Sequence, residues 1–345
     1  MIRRLPPLLK TLRDGMVQAG LPIEKQDEHI QQLNNSLAAA KSVTLTTTAT
    51  PGSDDAYTSI ILDTVAGITA AGWTSDKSGG RVSMTAVGKV TLGGMVLSGG
   101  RAVQSFNSAG RLTGEIINWS SELSTVHIRA SGQLNLGIST LAESGASVDM
   151  GARIMASQLI DIAGGVSIDR ISVRLPESAV LAVSNPDGVL KIKATQDAWL
   201  MGQMLAGGQV ISHYDTAGYK LGNTVQSFGG NSEIRIDAGE QIRLGRDLVA
   251  GKLIEVRGGT STHPATVADP WADEGIVIGG NVQIKTLQEY SSITLSAGGD
   301  MSVLTPAWTQ EIVADGFVEF ADGHLSAPAS FALTLEQGTV DLVRT

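Results

Sequence analysis

The stretch "SEIRIDAGEQIRLGRDLVAGKLIEVRGG", residues 232–259, alternates apolar and polar residues in short runs with glycines between them. Successive side chains of an extended strand point to opposite faces, so Ile234, Ile236, Ile242, Leu244, Leu253 (or Ile254) and Val256 fall on one side if each run is a strand. Charged residues fill the other side. Taken from Ile234, the pattern is apolar at 0 and +2, alanine at +4, apolar at +8 and +10, and glycine near +11.

The same pattern returns along the chain. It fits Val82, Met84, Ala86, Val90, Leu92 and Gly93, then Val126, Ile128, Ala130, Leu134, Leu136 and Gly137. It also fits Leu190, Ile192, Ala194, Ala198 and Leu200, with Gly202 one place late, and Ile293, Leu295, Ala297, Met301 and Val303. Val148, Met150 and Ala152 open a partial match. The starts are spaced by about 22 residues or twice that, and a small fixed period with occasional insertions is the signature of a solenoid. The longest interval contains the polar insertion "GGTSTHPATVADPWADEG".

A unit of about 22 residues with two or three strands reads as one coil of a parallel β-helix, each coil stacking about 4.8 Å from the next. The alanine at +4 is then a corner residue, where a larger side chain would crowd the interior. A β-sandwich or barrel alternates equally well but has no need of the same small residue at the same place in every unit. Residues 42–345 allow at most about 13 such coils, roughly 60 Å of stack. Residues 1–41 differ. Leu8, Leu9, Leu12 and Met16, and again Ile30, Leu33 and Leu37, follow helical spacing and predict a short helical lead-in or cap.

Composition agrees with many tight turns and an aliphatic core, since there are 41 glycines while aromatic residues make up only 4%. At 42% hydrophobic the chain is not of a disordered class. The formal charge of −9, with no basic run beyond Arg3-Arg4, argues against nucleic acid as a partner. The absence of cysteine excludes disulfides and thiolate metal sites. No stretch approaches the roughly 20 apolar residues of a membrane span. The opening "MIRRLPPLLKTLRDG" is too broken for a secretory signal, so an exported chain of this kind is expected to be a piece of something longer or to lack its signal.

The runs "SEIRIDAGEQIRLGRDLVAGKLIEVRGG", "SSITLSAGGDMSVL" and "STVHIRASGQLNLG" resemble the repeats of filamentous-haemagglutinin-like bacterial surface proteins, over about residues 80–305. The resemblance implies a right-handed parallel β-helix in a very large exported protein used for adhesion, colonisation or competition. Its expected place is extracellular or on the bacterial cell surface. Its expected partners are flanking coils of the same longer polypeptide, and host-surface or cell-surface glycans or proteins.

A β-helix can also process polysaccharides, which needs carboxylates, or a carboxylate with Arg or Lys, gathered on adjacent coils. The outward positions read Ser83, His127, Lys191, Arg235 and Thr294 at +1, and Thr85, Arg129, Lys193, Asp237 and Ser296 at +3. At +9 they read Thr91, Asn135, Trp199, Arg243 and Ser302. No column gathers acids, and Arg129, Lys191, Lys193 and Arg235 read as part of a solvated face. The histidines His29, His127, His213, His263 and His324 have no metal-ligand spacing. No catalytic, cofactor-binding or metal-binding residue is assigned, and no cofactor is expected.

Solenoids vary in their loops while strands hold the core, so partner contact is expected at insertions. The candidates are residues 259–275, with His263, Asp269, Trp271 and Asp273, and residues 211–222. Trp271 beside Pro270 either stacks on a sugar or covers the solenoid's flank. The expected function is a stalk or adhesion surface without catalysis. The alternatives are a carbohydrate-active or carbohydrate-binding β-helix and a phage-type spike.

Overall fold

Strand Glu233–Ala238 buries Ile234, Ile236 and Ala238 and leaves Arg235 and Asp237 exposed, as the pleat of an extended chain dictates. Strands Ile242–Leu244 and Leu248–Ala250 follow, and Leu253–Gly258 then returns parallel to the first. Ile234 pairs with Ile254 and Ile236 with Val256, so the chain regains its starting place twenty positions on.

This computed structural model describes residues 36–39, 41–47, 58–62, 67–71, 79–108, 112–120, 123–141, 147–217, 220–262, 264–266, 269, 272–279, 282–304, 310–321, 325–326 and 331–342. The described residues are all-β, and their strands stack in long parallel ladders. The first ladder runs through Ser42–Thr46, Arg81–Ala86, Thr125–Ala130, Leu159–Gly164, Val189–Ala194, Glu233–Ala238, Leu253–Gly258 and Ser291–Ala297. The second runs through Thr58–Leu62, Lys89–Leu92, Leu134–Asn135, Ile171–Leu175, Asp197–Leu200, Ile242–Leu244, Ile276–Ile278, Met301–Val303 and Leu325–Ser326. The third runs through Ser36–Ala39, Gly67–Ala70, Met95–Ser98, Arg153–Ala156, Val180–Val183, Gln203–Ala206, Leu248–Ala250 and Gln283–Thr286. The long strands Gln310–Ala321 and Phe331–Leu342 pair with each other, and the former pairs with both the first and the third ladder, joining them into one sheet.

The inward side chains of all three ladders make one aliphatic core. Val43, Val82, Val126, Ile160, Leu190, Ile234, Ile254 and Ile293 form one of its columns, pairing in register from strand to strand. The +4 alanines, Ala86, Ala130, Ala194, Ala238 and Ala297, are all buried. In that column Gly164 replaces alanine, because a Cβ there would come within 1.9 Å of the Ser172 carbonyl oxygen.

Three sequence expectations need correcting. The starts at Val82 and Val126 are not two coils apart, since these residues pair directly, and so do Leu190 and Ile234. The extra length is an antiparallel hairpin, Gly100–Phe106 with Leu112–Trp119 in the first interval and Gly208–Tyr214 with Lys220–Ser227 in the second. Val148 and Met150 lie in Ser147–Gly151, an arm of a third hairpin with Gly137–Leu141, and not in a ladder strand. Coils without such a hairpin advance by 20 positions from Ile234 to Ile254, 23 from Leu181 to Met204 and 25 from Ile276 to Met301, on either side of the expected 22, and the apparent doubling came from inserts of nearly coil length. Within the expected helical segment 1–41, Ser36–Ala39 is a strand of the third ladder; residues 1–35 and 40 lie outside the described residues.

The third ladder is apolar on both faces. Val96, Ile154, Leu181, Met204 and Leu248 belong to the main core, while Leu97, Met155, Ala182, Leu205 and Val249 belong to a second cluster outside it. Ala102, Ile117 and Trp119 of one hairpin and Val210 and Val225 of another pack on that cluster. A sheet covered on both sides needs near-continuous apolar strands, and this ladder has them. Buried Glu115 on the first hairpin pairs with Arg153 on the ladder, and the Asn107 side-chain amide donates to the Thr216 carbonyl at 3.1 Å, tying the two hairpins together.

Candidate functional site

On the outer face of the second ladder, registers place Thr91, Asn135, Arg174, Trp199, Arg243, Val277 and Ser302 in one column. The sequence pattern identified Asn135, Trp199 and Arg243 as outward neighbours but missed Arg174 between them. Residues 165–170 lengthen the turn before Ile171–Leu175 and shift that strand off the common template. The alternation of Ile171, Val173 and Leu175 around an exposed Arg174 was the available signal.

The Arg243 guanidinium lies 5.0 Å from the centre of the Trp199 ring, within cation–π range. It is held there on two sides. Its Nη2 pairs with Asp269 Oδ2 and its Nε donates to Gln241 Oε1. Gln241 is itself fixed, its backbone N–H donating to Asp197 Oδ1 at 3.0 Å and its side-chain amide to the Glu274 carbonyl at 3.0 Å. The insertion after Leu253–Gly258 is thereby strapped to the second ladder through Asp269 and Glu274.

Beside this stack lies an open groove of about 370 Å³, lined by Arg174, Leu175, Pro176, Glu177, Trp199, Met201 and Gly245. Glu177 is paired with Arg246. Arg174 is exposed, and among the described residues its side chain has no hydrogen-bond or ion-pair partner. The groove's described residues thus offer an aromatic plane, apolar walls, a compensated acid and a guanidinium with no partner among them.

Of the expected partner-contact residues, Asp269 and Asp273 lie among the described residues. Asp269 faces the ladder in its pair with Arg243, and its Oδ1 is buried without a partner. Asp273 is exposed, and His263 and Trp271 lie outside the described residues. In the 211–222 segment, His213 Nε2 and Thr224 Oγ1 are 2.7 Å apart across the two hairpin arms.

The first ladder's outer face is a mixture of charges. His127, Asp161, Lys191, Arg235 and Glu255 are successive neighbours in register. Asp161 pairs with Arg129 and lies 3.6 Å from His127 Nδ1, and Arg235 pairs with Glu233 at 2.8 Å and Glu255 at 3.5 Å. Lys191 and Arg235 do meet, but Asp161 separates them from His127 and Arg129, so no continuous basic stripe forms. Burial pushes the pKa of His127 down, against the opposing pull of Asp161.

Among the described residues no three His, Cys, Asp or Glu side chains are grouped so as to hold a metal ion. Among them too, no helix is long and apolar enough to cross a membrane. No family model, curated protein or solved structure matches the chain.

Proposed function

We propose that the chain is a right-handed parallel β-helical segment of a very large exported bacterial surface protein, similar to the filamentous-haemagglutinin-like proteins, and that it serves as a stalk or adhesion surface without catalysis. The observation carrying this reading is the combination of a continuous in-register aliphatic core with a first-ladder outer face on which Asp161, Glu233 and Glu255 are dispersed into ion pairs. Such a core gives length and stiffness, and mixed surface charge keeps neighbouring molecules apart. A hydrolase or lyase would need its carboxylates converging on a substrate groove. Among the described residues, the one carboxylate lining the groove described above is Glu177, already engaged by Arg246.

The proposed partners are flanking coils of the same longer polypeptide and glycans or proteins of a cell surface. Beads coated with the purified chain test the adhesive role: they are expected to adhere to epithelial or bacterial cells above an albumin-coated control. Equal retention, or a time-dependent shortening of an added polysaccharide, overturns this reading. The carbohydrate-binding alternative is favoured by one feature, the Trp199 groove, and as a mode of adhesion it is compatible with a stalk.

A further inference from the structure

The groove beside Trp199 brings together three kinds of group. Trp199 supplies a π surface, Pro176 and Met201 supply apolar walls, and Arg174 supplies a cation with no partner among the described residues. We propose that this groove binds a carboxylate-bearing sugar, with the sugar ring against Trp199 and its carboxylate on Arg174. The proposal rests on the adhesion reading above and deepens it by naming the ligand class.

Each part follows from the neighbouring contacts. A pyranose ring has a C–H face that packs on an aromatic plane and an edge of hydroxyls that needs polar partners. Arg243 lies over Trp199 but is neutralised by Asp269, so it steadies the indole without adding net charge. Glu177 and Arg246 likewise compensate one another, leaving Glu177 oxygens as acceptors for a hydroxyl. Among the described residues Arg174 is the remaining uncompensated charge of the groove, and Arg174 and Trp199 are register neighbours on adjacent strands, about 4.8 Å apart along the stack. A planar guanidinium with parallel N–H groups matches a carboxylate in bidentate fashion.

Other ligand classes fit less well. A neutral sugar would leave Arg174 unused. A nucleic acid or other dense polyanion would meet Arg174 as the one cation among the groove's described lining residues, on a chain of net charge −9. The shared chemistry, a carboxylate on a sugar ring, occurs both in a terminal sialic acid and in an internal uronic acid of a polysaccharide.

The test is a titration of the whole chain with sialyllactose, trigalacturonate and lactose, followed by tryptophan fluorescence and by calorimetry. At least one acidic sugar is expected to bind saturably, at least tenfold more tightly than lactose. Saturation by sialyllactose alone assigns a terminal ligand, and by trigalacturonate alone an internal one. Trp199→Phe is expected to abolish the fluorescence change. Arg174→Gln is expected to weaken acidic-sugar binding tenfold or more, and Asp269→Asn, which frees Arg243, to tighten it severalfold. Near-ultraviolet dichroism checks that the Arg174→Gln and Asp269→Asn variants keep the wild-type fold. Failure of both acidic sugars to bind, or binding unchanged in Arg174→Gln, overturns the proposal. A chain that adheres to cells yet binds neither sugar overturns the groove proposal alone. One that binds through Arg174 yet fails to adhere overturns the adhesion reading alone.

Discussion

Side-chain volume at the coil corner is set by what lies across it. Ala194 and Gly164 are register partners, yet only the glycine faces a carbonyl oxygen 1.9 Å from where its Cβ would be. Gly164→Ala is expected to destabilise by about 1–3 kcal/mol through overpacking, measured as a lower urea midpoint at unchanged slope. At the opposite end of strands Thr125–Ala130 and Leu159–Gly164, Ser124 and Ser157 exchange buried hydrogen bonds: the Ser124 N–H donates to Ser157 Oγ at 2.9 Å, and the Ser157 N–H to Ser124 Oγ at 2.7 Å. Neither serine belongs to the alternating pattern, so nothing in the sequence marked them. His127 makes the residue scale visible to pH. Its folded pKa lies below the ordinary 6.5 because burial disfavours the imidazolium, so the unfolded chain takes up the proton first as pH falls. Its contribution to stability is complete above about 6.5 and lost below it, toward the lowered folded value. The urea midpoint is expected to fall on going from pH 7.5 to 5, and to fall less in His127→Gln; an equal fall in both would exclude this origin.

At the scale of elements, the hairpins are what distinguish this chain from a bare stack of coils. They are inserted between ladder strands without disturbing the pairing of Val82 with Val126 or Leu190 with Ile234. Two of them cover the outer face of the third ladder, where Leu97, Met155 and Leu205 would otherwise meet water. Glu115, its side chain only 2% exposed, is the polar tie of the first hairpin to Arg153. Removing one partner of such a buried pair costs about 3–5 kcal/mol, since the other charge is left uncompensated. Glu115→Ala is therefore expected to speed amide exchange through Gly100–Phe106 and Leu112–Trp119 and to increase binding of a hydrophobic dye. Exchange in Val189–Ala194 is expected to stay as slow as in the wild type, and a uniform increase would contradict independent docking of the hairpin.

For the whole molecule, each coil contacts mainly the coils before and after it, so stability is closer to a sum of neighbour terms than to one cooperative core. Ile236, buried between Ile192 and Val256 of adjacent strands, gives a direct test. Ile236→Ala is expected to cost about 2–5 kcal/mol, with faster exchange in Val189–Ala194 and Leu253–Gly258 and little change at Arg81–Ala86. An equal effect at all three strands would mean the stack unfolds as one unit.

What the sequence determined by itself is the local rule. Alternation assigned the strands and their buried faces, and the recurring alanine marked the corner, because pleat and steric room act on residues adjacent in the chain. The tertiary structure decided how far apart the coils are. Inserts about one coil long look like further coils in a spacing, and only the pairing of Leu190 with Ile234 tells them apart. It also decided the site. Asp269 was legible as a loop acid, but its place on Arg243, and the placing of Arg174 next to Trp199, depend on strands stacked across turns of unequal length. Separation along the chain carries no record of those turns.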